Sequence, residues 1–248
     1  MARRALSLAL TALAASLVLA PLVAEAGDKL LEVLPADELA RAPSHRYASL
    51  GRDAALGALR ERGAIFDEVA AEKAPGVLAP IRLTARLGGV HVHGMLKGEA
   101  SVSTPFEIAD ARLALALDDF AKILKRHGVT EITHFSMYRP GGSAAHPPEA
   151  SATTRHPAGL AIDVATFRRE DGTTLSVAKD FGGRIGAKTC GDGAAAPDPP
   201  AAKELRAIVC EAAAAHVFTY ILTPNYNAAH RDHFHMEVKP GVSWMLVH

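Results

Sequence analysis

Two short segments concentrate the side chains that do chemistry. The first runs Arg155-His156-Pro157-Ala158-Gly159-Leu160-Ala161-Ile162-Asp163, the second His230-Arg231-Asp232-His233-Phe234-His235-Met236-Glu237. Strand alternation puts Leu160, Ile162 and Val164 on one face, with Ala161, Asp163 and Ala165 on the other. A carboxylate on such a half-buried strand needs a partner. The same period turns Phe234, Met236 and Val238 toward a core and leaves His233, His235 and Glu237 facing a cleft or solvent. Two neutral imidazoles and a carboxylate, with one position open to water, make an open zinc site. Such a metal lowers the pKa of its water toward ~7 and polarises a carbonyl. A histidine and an aspartate in one segment and Asp-x-x-His in the other supply these ligand types. The competing reading is a set of solvated or hydrogen-bonded His and Asp groups, because one His-x6-Asp spacing is weak by itself. Residue types also leave non-haem Fe(II) open, since it takes two His and a carboxylate as well.

The elements that must hold these segments follow from periodicity. Helices are expected over Ser49 to Arg62, over Ala111 to His127 (apolar at Leu113, Leu117, Phe120 and Leu124, ended by Gly128), and over Pro200 to His216. Strands are expected within Ile81 to Gly94, with Gly88-Gly89 as a possible turn. Further strands are expected over Val129 to Tyr138, stopped by Pro140-Gly141-Gly142, and over Leu160 to Phe167, Phe218 to Leu222 and Phe234 to Val238. This order predicts an α+β fold, a mostly antiparallel sheet with helices packed on one side. The stretch Gly191 to Pro200 reads as a loop.

The composition narrows the function classes. The 248 residues carry 27 Lys+Arg against 27 Asp+Glu, which argues against a nucleic-acid binder. The two cysteines cannot form a four-thiolate zinc site or an iron–sulfur cluster. Arg3 and Arg4, the apolar run Ala5 to Val23 and Ala24-Glu25-Ala26 have the layout of a secretory leader cut after Ala26, over residues 1–26. An uncleaved anchor is the rival, disfavoured by Pro21 and the plausible cut. No later segment is apolar enough to span a membrane. Export makes a Cys190–Cys210 disulfide the default reading, with two free buried thiols as the alternative. Residues 27–79 are expected to form a charged, helical N-terminal extension, and residues 80–248 the main domain.

At these residues the chain resembles the bacterial extensin-like C-terminal domain family, which is similar to the zinc D-alanyl-D-alanine carboxypeptidases and to hedgehog/lysostaphin-type peptidases. The resemblance spans roughly Pro80 to Pro240. It rests on Ser136-Met137-Tyr138-Arg139, on "RHPAGLAIDVATF" at 155–167 and on "LTPNYNAAHRDHFHMEV" at 222–238. It implies a hedgehog/D-Ala-D-Ala peptidase-like fold, with His156, Asp163 and His235 as zinc ligands. It further implies Asp232 as the catalytic carboxylate, His230 as an auxiliary histidine and Arg139 as an arginine that binds substrate or stabilises the oxyanion. In the lysostaphin-like branch the first His of a His-x-His pair does catalytic work, which gives His233 a claim as well. The favoured assignment is Asp232 as general base, with His233 polarising or stabilising the transition state. Thr154 departs from the Ser found in many relatives and keeps a hydroxyl.

The expectation is therefore an exported, periplasmic or secreted zinc metallopeptidase that hydrolyses peptide bonds of peptidoglycan, of D-alanyl carboxypeptidase or endopeptidase type, and acts as a monomer. The alternative is a non-catalytic, zinc-stabilised module that binds cell-wall polymer. An Fe(II) oxygenase fits the spacing and the exported location poorly. The other histidines have simpler readings. His91 and His93 share a strand face without an accompanying carboxylate, His127 complements a helix C-terminus, and His134 lies on the strand leading to Arg139. Arg168 to Gly172 reads as a solvated turn, and Asn225, Tyr226 and Asn227 either line the cleft or form a simple loop.

Overall fold

The computed structural model describes residues 31–141 and 155–248. The leader expected over 1–26, Gly142 and Thr154 lie outside the described residues. The strands are β1 (Leu31–Val33), β2 (Phe66–Glu68), β3 (Pro80–Leu83), β4 (His91–Gly94), β5 (Ile108–Asp110), β6 (Val129–His134), β7 (Ala161–Arg169), β8 (Thr174–Ser176), β9 (Tyr220–Leu222), β10 (Phe234–Glu237) and β11 (Trp244–Val247). The helices are α1 (Ala36–Arg41), α2 (Pro43–Ala48), α3 (Arg52–Glu61), α4 (Glu99–Ser103), α5 (Ala111–Arg126), α6 (Val177–Asp180) and α7 (Pro200–Ala214). No helix among the described residues is long and apolar enough to cross a membrane.

Helix α5 organises the core. Asp110 caps it, accepting the Arg112 N–H at 3.0 Å. Its other carboxylate oxygen accepts the N–H groups of Leu78 and Ala79 at 3.1 Å. Gly128, at φ 67°, takes the left-handed turn that leads into β6. The amphipathic pattern understates how deeply this helix is buried, because α2, α3 and α7 all pack against it. Its Arg112 and Asp118 are therefore buried too. Each is paired, Arg112 Nε with Asp110 at 2.8 Å and Asp118 with Arg62 at 3.0 Å. Beyond its last turn, His127 sits between two carboxylates of α7, Glu204 at 2.9 Å and Glu211 at 2.8 Å.

The main sheet has the order β1-β11-β9-β10-β7-β6-β4, with β8 paired to β7. It is α+β as expected, but the sheet is mixed: β4 runs parallel to β6 and β9 parallel to β11. The physical reason is connectivity. The chain leaves β4, passes through β5 and α5 and re-enters the sheet in the same direction, which is the crossover that parallel pairing needs. After β9, the antiparallel β10 reverses the chain once and β11 reverses it again. Ile81 to Gly94 divides between two sheets. Strand β3 lies in a three-stranded sheet, β2-β3-β5, while β4 edges the large one. Gly88 and Gly89 form the turn between them, and a Cβ at Gly88 would come within 2.8 Å of Ala121 Cβ.

One face of the main sheet meets the helices. Ile132, Ile162, Val164, Phe234 and Met236 join Leu113, Leu117 and Phe120 of α5 and Leu205, Ile208 and Val209 of α7 in one core. Tyr47, Leu56 and Leu59 of α2 and α3 belong to this core as well, and β1 pairs with β11. Cys190 and Cys210 form the expected disulfide, tying the loop before α7 to the helix. With helices on that face, alternation leaves the polar side chains of β7 and β10 on the other.

Candidate metal centre

Cross-strand register builds the centre. In the antiparallel β7–β10 pair, His235 stands directly opposite Asp163, so the two side chains share a face at cross-strand distance. His156 comes from the short 3-10 turn His156–Ala158 just before β7. That turn ends on Gly159 at φ 65°, where a Cβ would meet the Asp110 amide at 2.9 Å. Only glycine fits there, and the tight return swings the His156 ring back over the strand it precedes.

The three side chains are buried, and their ligand atoms lie within 4.8 Å of one another. One oxygen, Asp163 Oδ1, is approached by His235 Nδ1 at 2.8 Å, His156 Nε2 at 3.1 Å and His233 Nε2 at 3.4 Å. The far nitrogens are held too. His156 Nδ1 lies 2.9 Å from the Met137 carbonyl oxygen, and His235 Nε2 lies 2.7 Å from Glu237 Oε1. Glu237 also accepts the Arg155 N–H at 2.9 Å. Arg139 donates from Nε to Ser136 Oγ at 2.7 Å and from its terminal nitrogen to Asp163 Oδ2.

Burial pushes the His156 pKa down, against the pull of Asp163, so near neutral pH the ring carries one proton. It faces two acceptors, the Met137 carbonyl and the Asp163 carboxylate, and one proton serves only one of them. Burial opposes charge on His235 as well, but the hydrogen bonds to Asp163 and Glu237 prevail and raise its pKa to about 9. Burial pushes the Asp163 pKa up, yet the hydrogen bonds from His156 and His235 overcome it and hold the carboxyl far below the usual range. A cation between His156 Nε2, His235 Nδ1 and Asp163 would satisfy every one of these groups. Met137 and Glu237 would then accept the outer N–H groups, the arrangement that orients metal-ligating histidines. The donor set fits a borderline divalent ion such as zinc.

The remaining expected residues gather around this set. Asp232 Oδ1 lies 2.8 Å from His233 Nδ1, so the aspartate meets the histidine rather than the ligand cluster directly. The His230 ring stands 5.2 Å from that of His233 and 5.7 Å from that of His235. Its Nδ1 donates to Asn227 Oδ1 at 2.8 Å. Burial, followed by repulsion from His235 and His233, lowers the His230 pKa to about 4, so the ring is neutral near pH 7. The Tyr226 ring packs 5.4 Å from His230. Asn225 is structural: its Oδ1 accepts the Arg184 N–H and its Nδ2 donates to Thr189. His134 faces Glu107 at 3.3 Å.

Sequence reasoning placed Glu237 on the correct face without giving it a role. Its offset of two from His235 was the available signal. The Met137 carbonyl had no signal, because a backbone acceptor carries no residue identity.

The profile of the extensin-like protein C-terminus family matches residues 57–246. The chain belongs to the extensin-like protein C-terminus family. The match begins upstream of β3 and takes in the second half of α3, whose Leu59 packs in the main core, and it contains every residue of the centre. Neither a curated protein nor a solved structure matches the chain.

Proposed function

We propose that this extensin-like protein is an exported, zinc-dependent hydrolase of peptidoglycan peptides, with a hedgehog/D-Ala-D-Ala peptidase-like arrangement of its centre. The observation that carries this reading is the convergence of His156, Asp163 and His235, two of them steered by outer acceptors, beside a third imidazole that a carboxylate orients. An ion held by these three residues would supply Lewis acidity toward a carbonyl and a water that ionises near neutral pH.

The chain's own residues supply the rest. Asp232 accepts the Nδ1–H of His233, which turns Nε2 of that ring toward the centre. His233 is therefore the group that takes a proton from water and returns it to the leaving amine, and Asp232 is a positioning residue. The favoured assignment from the sequence had Asp232 as general base; the 2.8 Å contact of Asp232 with His233 Nδ1 supports the roles proposed here. Arg139, about half exposed at the rim, orients Asp163 through Oδ2 and offers its open side to substrate or to a developing oxyanion. The leader layout agrees with a substrate outside the cytoplasmic membrane.

The test is zinc content together with peptide release from a broad set of muropeptides, for the parent chain and for His156→Ala, His233→Ala and Asp232→Asn. About one zinc lost with His156, with turnover lost in both His156→Ala and His233→Ala, supports the enzyme. If Asp232 only orients His233, Asp232→Asn lowers kcat but keeps zinc binding. Stoichiometric zinc without cleavage of any muropeptide points instead to a wall-binding module. Absence of zinc after reconstitution refutes the centre.

A further inference from the structure

The chain holds a second constellation of the same chemical type, away from the centre. Strand β4 is the terminal strand of the main sheet and pairs in parallel with β6, His91 opposite Glu131 and His93 opposite Thr133. Val92 turns into the core, so His91 and His93 share the other face. Their ring centroids stand 4.6 Å apart. On the sequence these histidines lacked a carboxylate; parallel register supplies Glu131 from a strand almost forty positions away. Glu131 Oε1 lies 3.3 Å from His93 Nε2, and Oε2 lies 3.8 Å from His91 Nδ1. The ligand atoms of all three lie within 4.8 Å of one another.

The tautomer is set here as well. His93 Nδ1 lies 2.8 Å from the Gly94 carbonyl oxygen, to which it donates, so Nε2 is the ring nitrogen turned toward the Glu131 carboxylate. Nε2 and the carboxylate are then the atoms placed to share a cation. We propose that His91, His93 and Glu131 form a second, solvent-accessible site for a divalent first-row transition cation, with its remaining positions open to water or an outside ligand. Two imidazoles and one carboxylate suit zinc, nickel or copper better than calcium or magnesium. Arg86 and Arg168 act on His91 and Glu131, and Asp67, Arg82 and Glu107 line the same pocket as the two histidines. Arg86 is drawn off by the Thr130 carbonyl at 2.8 Å, and Arg168 lies beside Glu131. A cation here would clamp the edge strand to β6, its one neighbour in the main sheet among the described residues.

The test counts zinc by mass spectrometry after equilibrium dialysis in the parent chain, His93→Ala, His156→Ala and the double variant. Loss of one equivalent in His93→Ala, in both the parent and the His156→Ala background, is the expected result. The two sites fail separately. If only the edge site exists, the parent holds one zinc, His156→Ala keeps it and His93→Ala loses it. His91→Ala and Glu131→Gln, at exposed and half-buried positions, repeat the measurement with little effect on folding. Each should weaken the second equivalent at least tenfold in a cobalt(II) titration. Unchanged metal content and affinity in all three edge variants overturns the proposal.

Discussion

Replacing Glu237 by Gln tests the centre at a residue that touches no metal. Glu237 is buried and binds His235 Nε2 at 2.7 Å, which leaves Nδ1 aimed at the ligand cluster. Loss of such an outer partner typically costs 10–100-fold in metal affinity, or about 1.4 to 2.8 kcal/mol. Gln keeps an acceptor oxygen for the ring N–H and loses the charge, so Glu237→Gln is expected to weaken zinc about tenfold. Glu237→Ala loses both and should approach a hundredfold. It also removes the acceptor of the Arg155 N–H, at a cost to stability of about 1–3 kcal/mol. Competition against a chromophoric chelator gives the affinities, and circular dichroism checks that each variant is folded. Folded Glu237→Gln and Glu237→Ala chains with parental zinc affinity, alongside a His235→Ala chain that has lost it, would show that Nδ1 is not the ligating atom.

Other consequences are measured separately. In the metal-free chain His235 is protonated below about pH 9, so zinc binding near pH 7 should release about one proton and affinity should fall about tenfold per pH unit on acidification. Calorimetry in buffers of different ionisation enthalpy reads this, and zero proton release contradicts it. Without metal, the stabilisation from the raised His235 pKa is fully present below the ordinary value of 6.5 and is lost as pH rises through about 9; urea midpoints across that range should decline. Asp110→Ala removes the cap of α5 and one ion-pair partner of Arg112, and should cost about 1–3 kcal/mol in urea unfolding; an unchanged midpoint would mean the site relaxes. Replacing both Cys190 and Cys210 by Ser opens a loop of 20 residues and should cost about 3 kcal/mol in the chain-entropy model. An unchanged unfolding midpoint would refute that estimate.

Much of the centre was legible because its information is local. Alternation alone put Asp163, His233, His235 and Glu237 opposite the apolar side chains of their strands, and the structure keeps that division. Periodicity also located α5 and α7 to within a few residues, and the even cysteine pair anticipated the disulfide. Relations between distant segments were not legible, because strand pairing and direction depend on which surfaces can be buried together. Hence the parallel pairings of β4 with β6 and β9 with β11 were missed, as was the burial of twelve of the sixteen residues of α5 against its neighbours. The two histidine clusters show the boundary most plainly. Residue types and a period of two predict that His91 and His93 share a face, as do His233 and His235. Which carboxylate meets them, Glu131 or Asp163, was decided by interstrand register. That pairing is not encoded in a window of neighbouring residues; it exists only once the sheet has formed.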